Sequence, residues 1–314
     1  MQNWPDIPYL SWKDTAATLH QWLQIVGKYR LAYVPWINHS WHATLYLCSR
    51  GLTTSVIHTP GNSVQVDFDF TDHQLRVATS DGDHRSLPLQ AMSVAEFHQR
   101  FRDLVDELGV GIAFHGVPNE IQGAIAFELN TAPGAYDADA VNRFWRALLQ
   151  VDRVLKRFRS GFLGKVSPVH LFWGSFDLAV TRFSGRNAPV HPGGIPALPD
   201  AITREAYSHE VSSAGFWAGG GPIEFPAFYS YAYPAPEGFS SPVVTPAQAY
   251  FDETLGEFLL PYDAVRTASD PDAALLGFLQ STYEAAANLA GWPRHLLDCP
   301  PGRPRIVRPV QQSQ

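Results

Sequence analysis

Apolar residues recur three and four positions apart in several stretches of the chain, the spacing that places them on one face of a helix. One such stripe follows Asp14, a favourable N-cap residue. Another follows Ser93 and stops at Gly109, where the glycine that ends a helix is expected. The spacing therefore predicts helices that begin near Asp14, Ser93, Asp137 or Asp139, Pro246 (to Arg266) and Asp270 (to about Gly291).

Other stretches alternate apolar and polar residues, which is the period of a β-strand. The alternation starts at Trp41 and returns from Val64 to Phe70. Two consecutive alternating strands indicate an antiparallel sheet with one packed face. Further strands are predicted between glycine and proline clusters, at His170 to Phe183, Tyr207 to Trp217 and Phe228 to Tyr233.

These elements predict an α+β fold in which helices pack on one side of antiparallel sheets. Residues 1–298 are expected to form a single domain. Strands followed by helices occur twice along the chain, which suggests two similar lobes, 1–160 and 161–298. Residues 299–314 are expected to be a poorly ordered tail.

The amino-acid composition is unusual in its charged and aromatic residues. Charged residues make up 17% of the chain, against about 25% in typical proteins, while aromatics reach 13% with 9 Trp. We expect many of these rings to be half-buried with the polar end hydrogen-bonded.

The net charge of −7 and the absence of a Lys/Arg run argue against nucleic acid as a partner. No apolar stretch suits a membrane span, and the start resembles no signal peptide, so a cytoplasmic protein is expected, with Cys48 and Cys299 as free thiols.

The richest candidate chemistry lies between Lys165 and Arg186, where ionisable groups alternate with bulky aromatics. These groups can pair with one another inside a strand. Each buried charge costs several kcal/mol unless it is paired, however, so a ligand cavity accounts for their number more simply. Arg182 and Arg186 would clamp a carboxylate or phosphate. The candidates of this segment are Lys165, His170, Trp173, Asp177, Arg182 and Arg186.

A second cluster runs from Glu205 to Glu210, where strand alternation would place Glu205, Tyr207 and His209 on one face. A histidine beside carboxylates serves as general acid, general base or metal ligand, and it is more commonly a buried partner of a salt bridge. We assign the acid/base role to His170 or His209. The group that orients the imidazole is then Asp177 or Glu210.

Two weaker patterns complete the candidates. His39 and His42 have the H-x-x-H spacing, which on a loop could aim both imidazoles at one divalent metal ion. Tyr229 and Tyr231 share a strand face and could line a cavity, or pack in a core. Asp67, Asp69, Asp72 and His73 suit a hard cation, but we favour a solvent-facing strand. No nucleotide-binding motif is present.

The chain resembles the bacterial family known as domain of unknown function 5996. The resemblance extends from Trp4-Pro5 to near Trp292, and the long block from Ser167 to Arg186 makes it specific. It also includes the segments Thr18 to His20, Asn38 to His42, Arg50 to Thr54, Phe68 to His73, His191 to Gly194 and Glu205 to Trp217. It implies one full-length unit and a bacterial cytoplasmic setting, but no mechanism.

The leading hypothesis is an enzyme that acts on a small anionic molecule in an aromatic-lined cavity with a His/Asp/Arg site. One alternative is a non-catalytic protein that binds a small molecule. Another is an interaction protein that uses exposed Tyr and Trp residues at an interface. The sequence pattern indicates no particular oligomeric state.

Overall fold

The computed structural model describes residues 4–111 and 113–308. Its helices are α1 (Tyr9–Tyr33), α2 (Val94–Glu107), α3 (Ala138–Arg159), α4 (Asp200–Ala206), α5 (Tyr262–Arg266), α6 (Pro271–Leu289) and α7 (Arg294–Leu297). Its strands are β1 (Tyr46–Cys48), β2 (Gly51–His58), β3 (Ser63–Asp69), β4 (Gln74–Thr79), β5 (His84–Pro88), β6 (His170–Phe172), β7 (Asp177–Asn187), β8 (His209–Trp217), β9 (Ala227–Tyr233), β10 (Tyr250–Asp252) and β11 (Glu257–Pro261).

The helix starts predicted from capping residues are confirmed at three positions. Ser93 accepts a hydrogen bond from the Glu96 amide at 3.1 Å. Asp137 and Asp270 cap α3 and α6 in the same way, each at 3.0 Å. These side chains satisfy amides that the first turn of a helix leaves unpaired. Helix α1 begins earlier than Asp14, at Tyr9, because its first turn is already buried through Trp12.

Two predicted elements are wrong, the helix from Pro246 to Arg266 and the start of a strand at Trp41, and helix α4 was not predicted. The segment from Pro246 to Arg266 contains β10, β11 and the short helix α5 rather than one helix. A short buried apolar run such as Phe258 to Leu260 suits a helix and a core strand equally, so its periodicity does not decide. Residues 200–206 form α4, which is too short to show a helical pattern, and residues 41–43 form a turn ahead of β1.

The α+β fold is confirmed, with two antiparallel sheets. The first is a five-stranded meander in the order β1-β2-β3-β4-β5, and the second has six strands in the order β10-β11-β9-β8-β7-β6. They fall in the two predicted halves, 1–160 and 161–298. Leu45 and Leu171 join them by two backbone hydrogen bonds of 2.9 and 2.8 Å, and one apolar core extends from Trp4 to Trp292.

The two faces of the second sheet have different partners. Leu178 and Val180 of β7 and Phe216 of β8 lie on the face that packs against α3 and α6. The opposite face carries the alternate residues of the same strands. The long helices α3 and α6 thus cover one side of the sheet, as predicted, and the other side faces loops and the short helix α4.

Outside this core, Cys48 and Cys299 are free thiols, as predicted. The Cys299 amide donates to the Gly161 carbonyl at 3.2 Å, so the predicted tail begins in contact with the domain. Its last part, residues 309–314, lies outside the described residues. Within the described residues, no helix has the length and apolar character that a membrane crossing requires.

Candidate functional site

A cavity of about 330 Å³ lies over the open face of the second sheet. The chain around residues 36–43, 119–120 and 195–207 covers it. A volume of this size suits a small organic molecule. Its aromatic walls are Trp36, Trp41, Phe172, Trp173, Phe183, Tyr207, Trp217, Tyr229 and Tyr231. Its carboxyl groups are Glu120 and Asp177.

Strand register builds the floor of the cavity. Asp177 of β7 lies opposite Trp217 of β8, and Thr181 lies opposite Ser213, which in turn lies opposite Tyr231 of β9. Because side chains alternate along a strand, these residues all point to the same face. The hydroxyls of Thr181 and Ser213 are 2.8 Å apart, so the floor is a hydrogen-bonded polar surface.

Asp177 is buried and held by two hydroxyl groups. Ser175 donates to its Oδ1 at 2.5 Å, and Tyr229 donates to its Oδ2. Burial raises the pKa of this carboxyl, and the two hydrogen bonds oppose that rise. Within residues 4–111 and 113–308, no lysine, arginine or histidine forms an ion pair with Asp177.

Glu120 is the second carboxyl, and it comes from a loop. Its amide donates to the Pro196 carbonyl at 3.0 Å. Gly174 makes room for its side chain, since a Cβ there would overlap the carboxyl group. Burial and then the charge of Asp177 raise the pKa of Glu120 from 4.5 to about 7. Two carboxyls this close cannot both ionise without cost, so they titrate as a pair.

A polar stripe on α1 fixes this loop. Gln24 accepts from the Asn119 amide at 2.8 Å and donates to the Asn119 carbonyl at 2.9 Å. His20 lies 2.9 Å from the carbonyls of both Trp173 and Gly174. Lys28 donates to the Asn119 side chain, and burial lowers its pKa to about 8. One helix face therefore sets the positions of the segments that carry Glu120 and Asp177.

Backbone conformation at the cavity is unusual. His39, Ser40 and Glu120 are non-glycine residues with positive φ, at 61°, 58° and 61°. Such conformations cost about 1–3 kcal/mol each and cluster at functional sites. The surrounding contacts must therefore hold these residues in place.

Both predicted metal ligands line the cavity, but His39 has no free nitrogen. Lys165 donates to its Nε2 at 2.5 Å, so Nδ1 carries the proton and donates to the Ala206 carbonyl at 2.7 Å. His42 bonds to the Ile37 backbone through Nδ1, while its Nε2 is buried without a partner in the described part of the chain. Burial lowers the pKa of both histidines. Among the described residues no group of three His, Cys, Asp or Glu side chains could hold a metal.

The structure brings together many of the residues predicted from sequence. Lys165 lies at the edge through its bond to His39, and the His209 ring lies 5.8 Å from the His39 ring. Those that line the cavity are His39, His42, Trp173, Asp177, Tyr207, Tyr229 and Tyr231.

The predicted anion clamp does not reach the cavity. Arg182 alternates with Thr181 along β7 and therefore points to the helix-covered face. Its guanidinium centre lies 3.5 Å from the Phe158 ring centroid and 4.3 Å from that of Tyr283. Burial lowers its pKa to about 10. Arg186 forms a salt bridge of 2.7 Å with Glu210, and neither Arg186 nor Glu210 lines the cavity.

Two further assignments need correction. His170 is fully buried, with its Nδ1 3.2 Å from the Thr44 hydroxyl, and burial lowers its pKa to about 3. It does not line the cavity. Glu205 and Tyr207 do not share a strand with His209, because α4 ends at Ala206. The Glu205 carboxylate instead accepts from the His39 amide at 3.0 Å.

Sequence reasoning missed Glu120, because it is an isolated acidic residue in an irregular loop. It also missed Glu257 of β11, where burial and then the charge of Asp177 raise the pKa to about 8. The acidic patch near β3 has a structural role. Arg50 pairs with Asp69 at 2.5 Å and with Asp72 at 2.7 Å, and Asp69 is buried rather than solvent-facing.

The fold and cavity define an α+β protein with two antiparallel sheets and a carboxyl-containing aromatic pocket over the second sheet. The model of the family described as "Family of unknown function (DUF5996)" matches residues 4–299, and the chain belongs to this family. No curated protein and no solved structure matches the chain.

Proposed function

We propose that the chain is an enzyme that performs general acid–base chemistry on a small molecule bound in the cavity. Glu120 and Asp177 would transfer the protons. The observation that carries the proposal is the placement of both carboxyls in one aromatic cavity. Such a pair, with environments that separate its pKa values, is a common means of combining an acid with a base.

The surroundings of the two carboxyls suggest their roles. Burial raises the pKa of Asp177 as well, and the two hydrogen bonds that it accepts from hydroxyl groups oppose this rise by favouring the ionised form. Glu120 accepts no side-chain hydrogen bond within the described part of the chain, and its pKa of about 7 lets it give or take a proton at neutral pH. We assign the general acid to Glu120 and the charged base or electrostatic stabiliser to Asp177.

This proposal keeps the expected aromatic cavity and Asp177 but changes the ligand. Arg182 and Arg186 lie away from the cavity, so nothing in the proposal requires an anionic substrate. The negative net charge and the free thiols support the remaining elements of the proposal, namely a bacterial cytoplasmic setting and no nucleic-acid partner.

The test uses mass spectrometry, because the substrate is unidentified. Purified protein is incubated with a bacterial small-molecule extract, and compounds that are consumed or formed are recorded. Glu120→Gln should lower the rate of any such conversion by about 100-fold to 10,000-fold, the usual contribution of a general acid. Glu237→Gln, at an exposed carboxyl, is the matched control and should leave the rate unchanged. Full activity in Glu120→Gln and Asp177→Asn would refute the proposal.

A non-catalytic binding protein is the second candidate. Both oxygens of Asp177 already have partners from the protein itself, as in a carboxyl that stabilises a fold. This function would leave every compound of the extract unconverted, while native mass spectrometry would show a retained ligand.

A further inference from the structure

We infer that the ligand of this cavity is an organic cation, a small molecule that carries an amine or ammonium group. The inferred binding of a cation rests on the site of the proposed function, but it does not require that the site transfers protons. The charge and the aromatic surface of the cavity walls support it.

The walls supply acidic groups and no cationic ones. No lysine or arginine is among the described residues that line the cavity, whereas Glu120 and Asp177 both line it. Two lysines outside the lining each bond to a wall residue, Lys28 to the Asn119 side chain and Lys165 to His39. The charge inside is therefore zero or negative.

The histidines do not alter this balance. Burial lowers the pKa of His39 and His42, so both imidazoles are neutral near pH 7. His42 Nε2, in a side chain that is 1% exposed, has no partner among the described residues and can bond a polar group of the ligand. An anionic ligand would meet no compensating charge from either ring.

Aromatic rings surround the carboxyls, and their faces attract cations. Two of the wall rings already have a lysine ammonium group over them. Lys165 lies 4.9 Å from the Phe183 ring centroid, and Lys28 lies 5.6 Å from that of Trp173. Over the part of the chain that the structure describes, Trp217 and Tyr229 have no such cation. Trp217 lies opposite Asp177 in the sheet register. This corner combines two rings that pack against each other, with centroids 4.6 Å apart, with a carboxyl group.

A buried carboxyl without a cationic partner is costly unless it is protonated. A cation beside Asp177 and Glu120 would remove that cost by favouring the ionised form. Glu257 does not line the cavity, but its charge acts on Tyr229 and adds to the acidic surroundings. A neutral ligand would leave these carboxyls unpaired, and an anionic ligand would be repelled by them.

Titration calorimetry with three probes of one shape tests the inference. Benzylamine, benzyl alcohol and benzoate differ at neutral pH mainly in charge, and choline with its neutral analogue 3,3-dimethyl-1-butanol forms a second matched set. We expect each cation to bind at least about tenfold more tightly than its neutral counterpart, and benzoate not to bind. Equal or tighter binding of an alcohol or of benzoate would overturn the inference, as would no binding of either cation.

Variants assign the selectivity to the cavity. Glu120→Gln should reduce benzylamine binding by about tenfold and leave benzyl alcohol binding unchanged. Asp177→Asn repeats the test at the second carboxyl, and circular dichroism confirms that each variant is folded. Unchanged benzylamine binding in both folded variants would overturn the inference. If the protein binds the cations but converts no compound in the extract, the proposed catalysis is refuted and the inferred cation binding stands.

Discussion

Tyr229 of β9 donates a hydrogen bond to Asp177 of β7 although β8 lies between these strands. The contact is possible because Gly215 occupies the intervening position on β8, opposite Tyr229. A Cβ at Gly215 would lie 2.5 Å from the Tyr229 hydroxyl and 2.5 Å from the Leu178 carbonyl. The missing side chain thus allows the phenol ring to cross the strand and reach the carboxyl group.

Gly215→Ala should therefore displace Tyr229 and break its bond to Asp177. Because one of the crowded atoms is a backbone carbonyl, which cannot move easily, we expect a loss of about 1–3 kcal/mol in the free energy of unfolding. Urea denaturation measures this loss.

Gly116→Ala is the control, since a Cβ at Gly116 would have no neighbour within 4 Å. We expect its free energy of unfolding to stay within about 0.5 kcal/mol of the wild type. A Gly215→Ala variant as stable as Gly116→Ala would show that Tyr229 does not need to cross β8.

Local sequence rules predicted the helix starts well, because a cap such as Ser93 depends only on the residues that follow it. They predicted the aromatic cavity in part, since alternation along a strand places Asp177 and Thr181 on one face. The same rule, applied strictly, places Arg182 on the other face. The predicted anion clamp was wrong because it grouped the charges of the segment without regard to their alternation.

The remaining features depend on contacts between distant parts of the chain. The loop that carries Glu120 is held at the cavity by Gln24, which bonds to Asn119, the neighbour of Glu120, across 95 positions of sequence. Irregular loops carry no periodic pattern, so such a residue is invisible to sequence reasoning. Likewise, only the structure shows that Lys165 occupies the nitrogen of His39 that a metal would need.

The contribution of two buried carboxyls to stability should fall as the pH rises from about 5 to 8. Burial raises the folded pKa of Glu257 from 4.5 to about 8 and that of Glu120 to about 7. Between the ordinary pKa of 4.5 and the folded pKa of each glutamate, the folded state binds more protons than the unfolded state, so deprotonation favours unfolding. The stabilisation is complete below pH 4.5 and is lost as the pH rises to the folded pKa, at about 1.4 kcal/mol for each pH unit.

The difference between the wild type and Glu257→Gln isolates this contribution from the histidines, whose lowered pKa values act in the opposite direction. Urea denaturation at pH 5, 6.5 and 8 should show the wild type losing more stability with rising pH than the variant. Parallel curves for the two proteins would contradict a raised pKa at Glu257.

Arg182 should be dispensable for ligand binding. Its side chain is 1% exposed, lies between the Phe158 and Tyr283 rings, and leaves Nε and Nη1 without partners within the described structure. Replacement of buried ion pairs by apolar side chains of similar volume is often neutral or stabilising by about 1–4 kcal/mol, and a buried charge without an ionic partner has no such pair to lose. We expect Arg182→Met to be at least as stable as the wild type in thermal melts.

Arg182→Met should also bind benzylamine with unchanged affinity, because residue 182 points away from the cavity. Arg182→Ala provides the contrast, since it leaves a void among the rings and should lower stability by about 3 kcal/mol. Loss of benzylamine binding in a folded Arg182→Met variant would show that Arg182 contributes to the ligand site.

Gln24 should position Glu120 without contacting the ligand. Its amide makes two hydrogen bonds with the backbone of Asn119, at 2.8 and 2.9 Å, and so fixes the residue that precedes Glu120. Gln24→Leu removes both bonds and leaves buried backbone groups unpaired, which should cost about 1–3 kcal/mol each in stability.

The released loop lets Glu120 move away from Asp177 into a more solvated position, so its pKa should fall from about 7 towards 4.5. Carbon-13 NMR titration of labelled glutamate side chains measures this change, which a purely structural role would not produce. Gln99→Leu is the matched control, because Gln99 is exposed and its side chain bonds, within the described structure, only to Asp103 of its own helix, at 2.7 Å. We expect Gln99→Leu to keep the wild-type titration. A Glu120 pKa that stays near 7 in Gln24→Leu would show that other contacts, such as the Glu120 amide with Pro196, suffice to hold the loop.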